Sequence, residues 1–186
     1  MNKIIKTMLL AGVMLAPVAM SAKAADLSVP AADPAMMGLY LRADAGWSFL
    51  NWSGGDDDSN FVAGGGIGYR FSDNVRADVT ADWSGDYKVA PGAEISTTAV
   101  LGNLYFDWAN SSMFTPYVGV GAGYGWVDGS GGAVDDSGLA VGAAAGVSVS
   151  LTNNLALDAG YRFRDIMISG PDSKEHQVTM GLRFSF

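Results

Sequence analysis

The sequence predicts an all-β fold, an eight-stranded antiparallel up-and-down transmembrane β-barrel. Three observations carry that expectation. The last ten residues alternate strictly: Val178, Met180, Leu182, Phe184 and Phe186 are apolar, while Gln177, Thr179, Gly181, Arg183 and Ser185 are polar or small. Such alternation marks a strand with two unlike faces, and a tilted strand needs roughly 9–11 residues to cross a hydrocarbon core. Seven earlier segments alternate in the same way, and their Arg and Asp residues stay on the face opposite the large aromatics. The connections run long, short, long, short, long, short, long, the rhythm of a barrel with tight turns at one end and larger loops at the other.

Residues 1–24 read as a cleaved signal peptide. Lys3 and Lys6 give a positive start, Met8 to Met20 is apolar, and Ala22-Lys23-Ala24 fits an A-x-A cleavage site for Sec export. That apolar run is too short to span as a helix, and no later stretch reaches 18 apolar residues. Cysteine is absent, so neither a lipoprotein anchor nor a disulfide framework is available. Without Lys3, Lys6 and Lys23 the mature chain carries eight basic and 19 acidic residues, a net charge of −11. Nucleic acid is therefore not an expected partner, since phosphate binding needs clustered Lys and Arg.

Residues 25–38, with Pro30 and Pro34 and no periodicity, read as an irregular periplasmic tether, and 39–186 as the barrel. The first strand, Leu39 to Leu50, sets Leu41, Ala45, Trp47 and Phe49 against Tyr40, Arg42 and Asp44. A polar loop from Asn51 to Ser59 follows. Asn60 to Phe71 puts Phe61, Ile67, Tyr69 and Phe71 on one face, and Ser72-Asp73-Asn74 is a tight turn. Val75 to Trp83 sets Val75, Val79 and Trp83 against Arg76, Asp78 and Asp82, and Ser84 to Ala93, containing Pro91-Gly92, reads as a second long loop. Glu94 to Trp108 has Val100, Leu104, Phe106 and Trp108 opposite Asn103, Tyr105 and Asp107, and Ala109 to Ser112 is a turn. Phe114 to Val127 opposes Val118, Val120, Tyr124 and Trp126 to Gly119, Gly121, Gly123 and Gly125. Asp128 to Ser137 is a third loop. Leu139 to Leu151 precedes the turn at Thr152-Asn153-Asn154. Leu155 to Phe163, a fourth loop from Asp165 to Ser173, and the terminal strand complete the chain.

The charges decide between a membrane barrel and a soluble one. All six arginines (Arg42, Arg70, Arg76, Arg162, Arg164, Arg183) and five aspartates (Asp44, Asp78, Asp82, Asp107, Asp158) share the face opposite the apolar one. Pointed inward, they form a lumen charge network away from lipid. The apolar face ends in aromatics at two heights. Tyr69, Phe71, Phe106, Trp108, Phe114, Phe184 and Phe186 mark one girdle; Trp47, Phe49, Phe61, Trp83, Tyr124, Trp126 and Phe163 mark the other.

On these residues the chain resembles the small eight-stranded outer-membrane proteins of Gram-negative bacteria, the OmpA-type transmembrane domain and the opacity-like porin-family proteins. The resemblance covers Leu39 to Phe186 and is most specific in the terminal aromatic strand and in the Gly-Tyr-Arg-Phe segments, read as leading into turns, at Gly68 to Phe71 and Gly160 to Phe163. It implies that Val178, Met180, Leu182, Phe184 and Phe186 are the signal read by the barrel-assembly machinery. It also implies an outer-membrane location with periplasmic termini, lipid and lipopolysaccharide as surroundings, and roles such as adhesin, surface antigen or envelope stabiliser. OmpA carries a peptidoglycan-binding domain after its barrel; here the barrel strand ends at Phe186, so that role is not implied.

Candidate chemistry is sparse. His176 is the only histidine, and alternation sends Ser173, Glu175 and Gln177 to the other face, so neighbours do not build a nucleophile–base set for a lipid-active enzyme. A haem-ligand role would rest on that one residue. The Gly119 to Gly125 run lacks phosphate-loop spacing and makes room for long Arg side chains or borders a small pocket. Asp56-Asp57-Asp58 and Asp135-Asp136 match no EF-hand loop and read as solvated acidic loops rather than sites for Ca²⁺ or lipopolysaccharide-bridging Mg²⁺. No cofactor and no enzymatic activity are expected. The leading expectation is a structural, antigenic or adhesin-like surface protein acting through four outer loops, with a host or cell-surface ligand. Small-pore transport or haem or solute binding comes second, a lipid-active enzyme third.

Overall fold

The computed structural model describes residues 37–52, 57–131, 135–168 and 173–186. The expected signal peptide, and all of the expected tether except Met37 and Gly38, lie outside them. Eight strands close into one antiparallel barrel: β1 (Gly38–Trp52), β2 (Asp58–Arg70), β3 (Val75–Ala90), β4 (Ala93–Asp107), β5 (Phe114–Ser130), β6 (Asp136–Ser150), β7 (Leu155–Met167) and β8 (Ser173–Ser185). Each strand pairs with its neighbours in sequence, and β1 pairs with β8, so Arg42 lies opposite Arg183 and Trp47 opposite Val178. Closure leaves no unpaired edge through the barrel wall, which a chain in lipid requires. The expected tether runs one residue too far, because Gly38 already pairs with Arg70.

The tight connections gather at one end, here the turn end, and two of the three use one repeated device. Ser72 Oγ accepts the N–H groups of Asn74 and Val75 at 3.3 and 3.1 Å, and Thr152 Oγ1 accepts those of Asn154 and Leu155 at 3.3 and 3.0 Å. In both turns the last Asn donates Nδ2 to a carbonyl of the adjoining strand: Asn74 to Asp107 at 2.9 Å, Asn154 to Ser185 at 2.8 Å. Ser/Asn turn chemistry thereby fixes register as well as direction. Phe186 N–H donates to Leu39 O at 3.0 Å, so the C-terminal residue is tied to the first strand at this end.

The opposite, loop end departs from the expectation. Ser84 to Ala93 is not a long loop: β3 runs on to Ala90, and β4 begins at Ala93. Ser84 pairs with Thr97 but Tyr87 with Ile95, so β3 holds one extra residue against β4. This is a β-bulge, and Asp86 takes the left-handed conformation within it (φ 59°). One inserted residue flips every later side chain to the other face. Tyr87 and Val89 therefore turn inward although strict alternation from Trp83 would send them out. Asp128 to Ser137 and Asp165 to Ser173 are likewise shorter loops than expected, since β5 reaches Ser130, β6 starts at Asp136, β7 reaches Met167 and β8 starts at Ser173. Gly160 to Phe163 does not lead into a turn; it lies inside β7.

Inside this extension sits an apolar roof that the sequence reading did not anticipate. Leu50, Tyr87, Val89, Ile95, Val127 and Ile166 are buried together, and Ala99, Leu101 and Ala140 continue the cluster down the β4–β6 side. Burying a Leu, Ile or Val fully is worth about 1.5–3 kcal/mol. The roof thus holds the protruding hairpin in place where no lipid supports it.

Candidate functional site

The outer surface is apolar. Trp47, Phe49, Phe61, Tyr69, Phe71, Trp83, Phe106, Trp108, Phe114, Tyr124, Trp126, Phe184 and Phe186 are all exposed, as are Val178, Met180 and Leu182 of β8. Tyr69–Phe71, Phe106–Trp108 and Phe184–Phe186 pack ring against ring at 5.1–5.3 Å towards the turn end, and Tyr124–Trp126 does so at 5.2 Å towards the loop end. Phe163 differs in being half-buried, its ring 5.3 Å from that of His176. Between these heights the surface is aliphatic, with Val79, Leu104 and Val120 more than half exposed.

The interior is charged and closely paired. Near the turn end Arg76, with no exposed surface, donates Nε to both oxygens of Asp107 at 3.0 and 3.1 Å, and Arg70 reaches the same carboxylate at 3.0 Å. The Arg76 guanidinium also lies over the Tyr105 and Tyr117 rings, 4.1 and 5.0 Å from their centroids. Arg183 donates to Asp158 at 3.2 Å and to Ser148 at 2.7 Å, and Ser148 is hydrogen-bonded to Asp158. Further along, Arg42 grips Asp44 through Nε and Nη2 at 2.8 and 2.7 Å, and its Nη1 donates to Asp78 at 3.0 Å and Tyr105 at 2.9 Å. Arg162 pairs with Asp82 at 2.9 Å.

The last layer before the roof joins Arg164 to Glu175 at 2.8 Å. Glu175 accepts as well from Ser48 (3.1 Å), Ser84 (2.9 Å), Gln177 (2.8 Å) and Thr97, groups drawn from β1, β3, β4 and β8. Glu175 was absent from the expected network of six arginines and five aspartates, although alternation placed it on the inward face. With it the inward charges match, six arginines against six carboxylates, all buried except the partly exposed Arg162. Tyr40, Tyr105 and Asn103 were also missed as partners. Tyr40 donates to Asp78 at 3.0 Å, and Asn103 donates to Asp78 at 2.8 Å and Thr80 at 3.1 Å.

The inward glycines of β5 do not make room for arginines, but one of them, Gly121, does line an open cavity of about 460 Å³ together with Asp78, Gly102, Asn103 and Val120. A Cβ at Gly119 would strike the Tyr105 ring, one at Gly121 the Asn103 side chain, and one at Gly125 the Ile166 side chain. Neighbouring strands fill the space that the glycines leave. On the outside, the His176 ring is hydrogen-bonded through Nδ1 to Tyr161 Oη. Ser173 and Glu175 are buried inside the barrel, on the other side of the wall from it, so no nucleophile–base set is assembled there. Among the described residues no group of three His, Cys, Asp or Glu side chains could hold a metal ion.

A closed barrel of eight strands, apolar outside with aromatics near both ends and a paired charge ladder within, defines the class of integral outer-membrane β-barrels. The chain belongs to the outer membrane protein beta-barrel domain family, whose model matches residues 9–186. Among curated relatives, an uncharacterized Brucella abortus protein is 28% identical, the match covering 85% of this chain and 81% of that protein. The outer membrane protein PagN of Salmonella typhimurium is 26% identical over 68% of this chain and 73% of its own length. Among solved structures, Neisserial surface protein A is 25% identical with a TM-score of 0.72, covering 80% of this chain and 97% of that one. Ail of Yersinia pestis shares the fold at 17% identity and a TM-score of 0.54, covering 80% of this chain and all of that one. The protein is an outer-membrane barrel of this type.

Proposed function

We propose that this protein is a non-enzymatic surface protein whose loop end, facing the outside of the cell, makes an adhesin-like contact. One observation carries the reading: a roof of Leu50, Tyr87, Val89, Ile95, Val127 and Ile166 over a matched charge ladder leaves no open lumen for a solute. The accessible chemistry is then that of the rim. The turn end faces the periplasm, as short turns do in such barrels, and the terminal strand Val178 to Phe186 serves as the assembly signal. The girdle aromatics sit at the two membrane interfaces, among outer-membrane lipid and lipopolysaccharide.

The rim charge narrows the partner. Asp57, Asp58, Asp86, Glu94, Asp128, Asp135, Asp136 and Asp165 gather at the loop end, where the described basic residues are Lys88 and Lys174. Ail has been solved with the heparin analogue sucrose octasulfate; a polysulfated ligand would be repelled by this rim. A neutral or cationic surface on the partner fits instead. The test is cell-surface binding by bacteria displaying the wild-type barrel or one with the hairpin tip around Pro91-Gly92 replaced by a different turn. Binding lost while the barrel stays heat-modifiable supports the reading. Undiminished binding across replacements at every loop would refute it.

A further inference from the structure

We propose that two copies of this barrel pair in the membrane through the β3–β5 wall, the Val120 ridge of each copy entering the recess at Gly102 of the other. The recess is the open cavity of about 460 Å³ walled by Ala77, Leu104, Val120 and Ala122, with Gly102 and the backbone beside it as its floor. It opens outward. A Cβ at Gly102, between the inward Leu101 and Asn103, would meet nothing nearer than Ala122 O at 3.8 Å. One at Gly121 would point inward and strike Asn103, so the recess reaches Gly121 from the lipid side. Ala81, diagonal to Gly102 on β3, is also small and exposed. The ridge stands beside this hollow. Among the described residues, no large apolar side chain within the eight strands is more exposed than Val120, at 64%.

Barrel closure puts ridge and recess at nearly one depth. Following paired residues once round the wall, strand by strand from Arg42 through Leu101 to Ser173, returns to β1 at Trp52, ten residues nearer the loop end. A level line therefore falls about one residue per strand behind the pairing. Gly102 pairs with Ala122, so Gly121 is level with it on β5 and Val120 is the outward side chain just below. Two barrels inserted in the same direction are related by a two-fold along the membrane normal, and such an axis preserves depth. The contact is then isologous, each Val120 facing the other copy's Gly102. Lipid-facing walls gain nothing from hydrophobicity alone; they associate by close packing, which small residues permit by letting backbones approach. An acyl chain can lie in the recess, but it has no hollow to offer Val120. A second copy of this wall offers both, and between Phe106 and Trp83 the wall carries no charge to oppose the contact.

The chain has no cysteine, so Ser111→Cys in the exposed turn between β4 and β5 gives a single site for a donor or an acceptor dye. The measurement is energy transfer between separately labelled copies in phosphatidylcholine vesicles as lipid is added. Wild-type transfer should persist at dilutions where random proximity gives none. Gly102→Leu, which fills the recess, and Val120→Ala, which removes the ridge, should each abolish it while the barrels stay heat-modifiable. Ala43→Leu, a similar enlargement on the exposed face of β1, should leave it unchanged. Mixing donor-labelled Val120→Ala with acceptor-labelled Gly102→Leu keeps one contact native and moves the bulk to the opposite side in the other, so transfer should return. Wild-type transfer no greater than random proximity would leave the recess to lipid and overturn the proposal. So would transfer that survives Gly102→Leu, that is lost equally in Ala43→Leu, or that is no higher in the mixture than in either variant alone.

Discussion

At the scale of single residues, cost depends on which side of the wall a side chain faces and whether its charge is matched. Val120 is 64% exposed on the aliphatic band between the two aromatic heights. Arginine there must sit in hydrocarbon, so Val120→Arg is expected to destabilise the barrel by about 2–4 kcal/mol, while Val120→Ile stays near neutral. Urea unfolding in lipid vesicles measures both. Glu175 tests the inside. It is fully buried and answers Arg164 as well as the hydroxyls of Ser48, Ser84 and Thr97. Glu175→Gln keeps the shape but leaves the Arg164 charge without its counter-charge, a loss of about 3–5 kcal/mol for a broken buried pair. Lys88→Ala, at an exposed rim position, should fall within about 0.5 kcal/mol. An equal effect of these two variants on the heat-modification midpoint would mean that the Glu175 layer is solvent-like rather than dry. Glu175 was within reach of the sequence: it shares parity with Ser173 and Gln177, opposite His176. Its role was hidden because its hydroxyl partners Ser48, Ser84 and Thr97 come from three strands far away in the chain, and one-dimensional alternation assigns faces but not neighbours.

At the scale of the element, alternation located all eight strands and failed where a strand breaks its own period. β3 is the case in point. Pro91-Gly92 made Ser84 to Ala93 read as a loop, and strict counting from Trp83 would in any case put Asp86 inside and Tyr87 outside. The bulge between Ser84 and Tyr87 restores an inward apolar face for Tyr87 and Val89. The rewards of that bulge, the contacts with Leu50, Ile95 and Val127, are non-local and cannot be read from residues 84–90 alone. Asp86→Val disfavours the left-handed conformation that the bulge uses at this position; with the strand regularised at constant length, Tyr87 and Val89 should swing outward and the hairpin at the loop end should loosen. Limited proteolysis of intact cells expressing the variant should cut near Pro91 at enzyme levels that leave the wild type whole, and equal resistance would speak against the bulge as the organiser of the roof. β8 offers a different test. Phe186 closes the terminal strand on Leu39 and packs its ring 5.3 Å from Phe184. If this strand is the assembly signal, deleting Phe186 leaves the protein degraded or stranded in the periplasm. Normal amounts of membrane-embedded, heat-modifiable barrel in the deletion would count against that role.

At the scale of the whole molecule, strand count and charge pattern together determine whether the barrel can be a pore. Eight strands enclose a space that side chains can fill, and here two different kinds of filling are stacked along one axis. The first is the ladder of Asp107, Asp158, Asp44, Asp78 and Asp82 with their arginines, ending at Glu175, in which some pairs join neighbouring strands and two, Arg42–Asp78 and Arg162–Asp82, reach across to strands that are not neighbours. Breaking any one rung to let an ion pass would expose an unpaired charge to a low-dielectric interior, which is costly. The second is the apolar roof, which has no polar groups to coordinate an ion in transit save the Tyr87 hydroxyl. The sequence revealed the ladder, because charge parity is local, and missed the roof, because the bulge hides it. The two act in series, so opening one leaves the other shut. On the glycine-lined side of β5, Gly119, Gly121 and Gly125 are covered by Tyr105, Asn103 and Ile166. Purified protein in planar bilayers at neutral pH is therefore expected to give rare current steps or none. Glu175→Gln should not turn it into a steady pore, since the roof remains, whereas combining Glu175→Gln with Asp86→Val should raise the frequency of openings well above either change alone. Stable openings of porin size in the wild type would overturn the closed-lumen reading and put transport ahead of surface contact as this barrel's role.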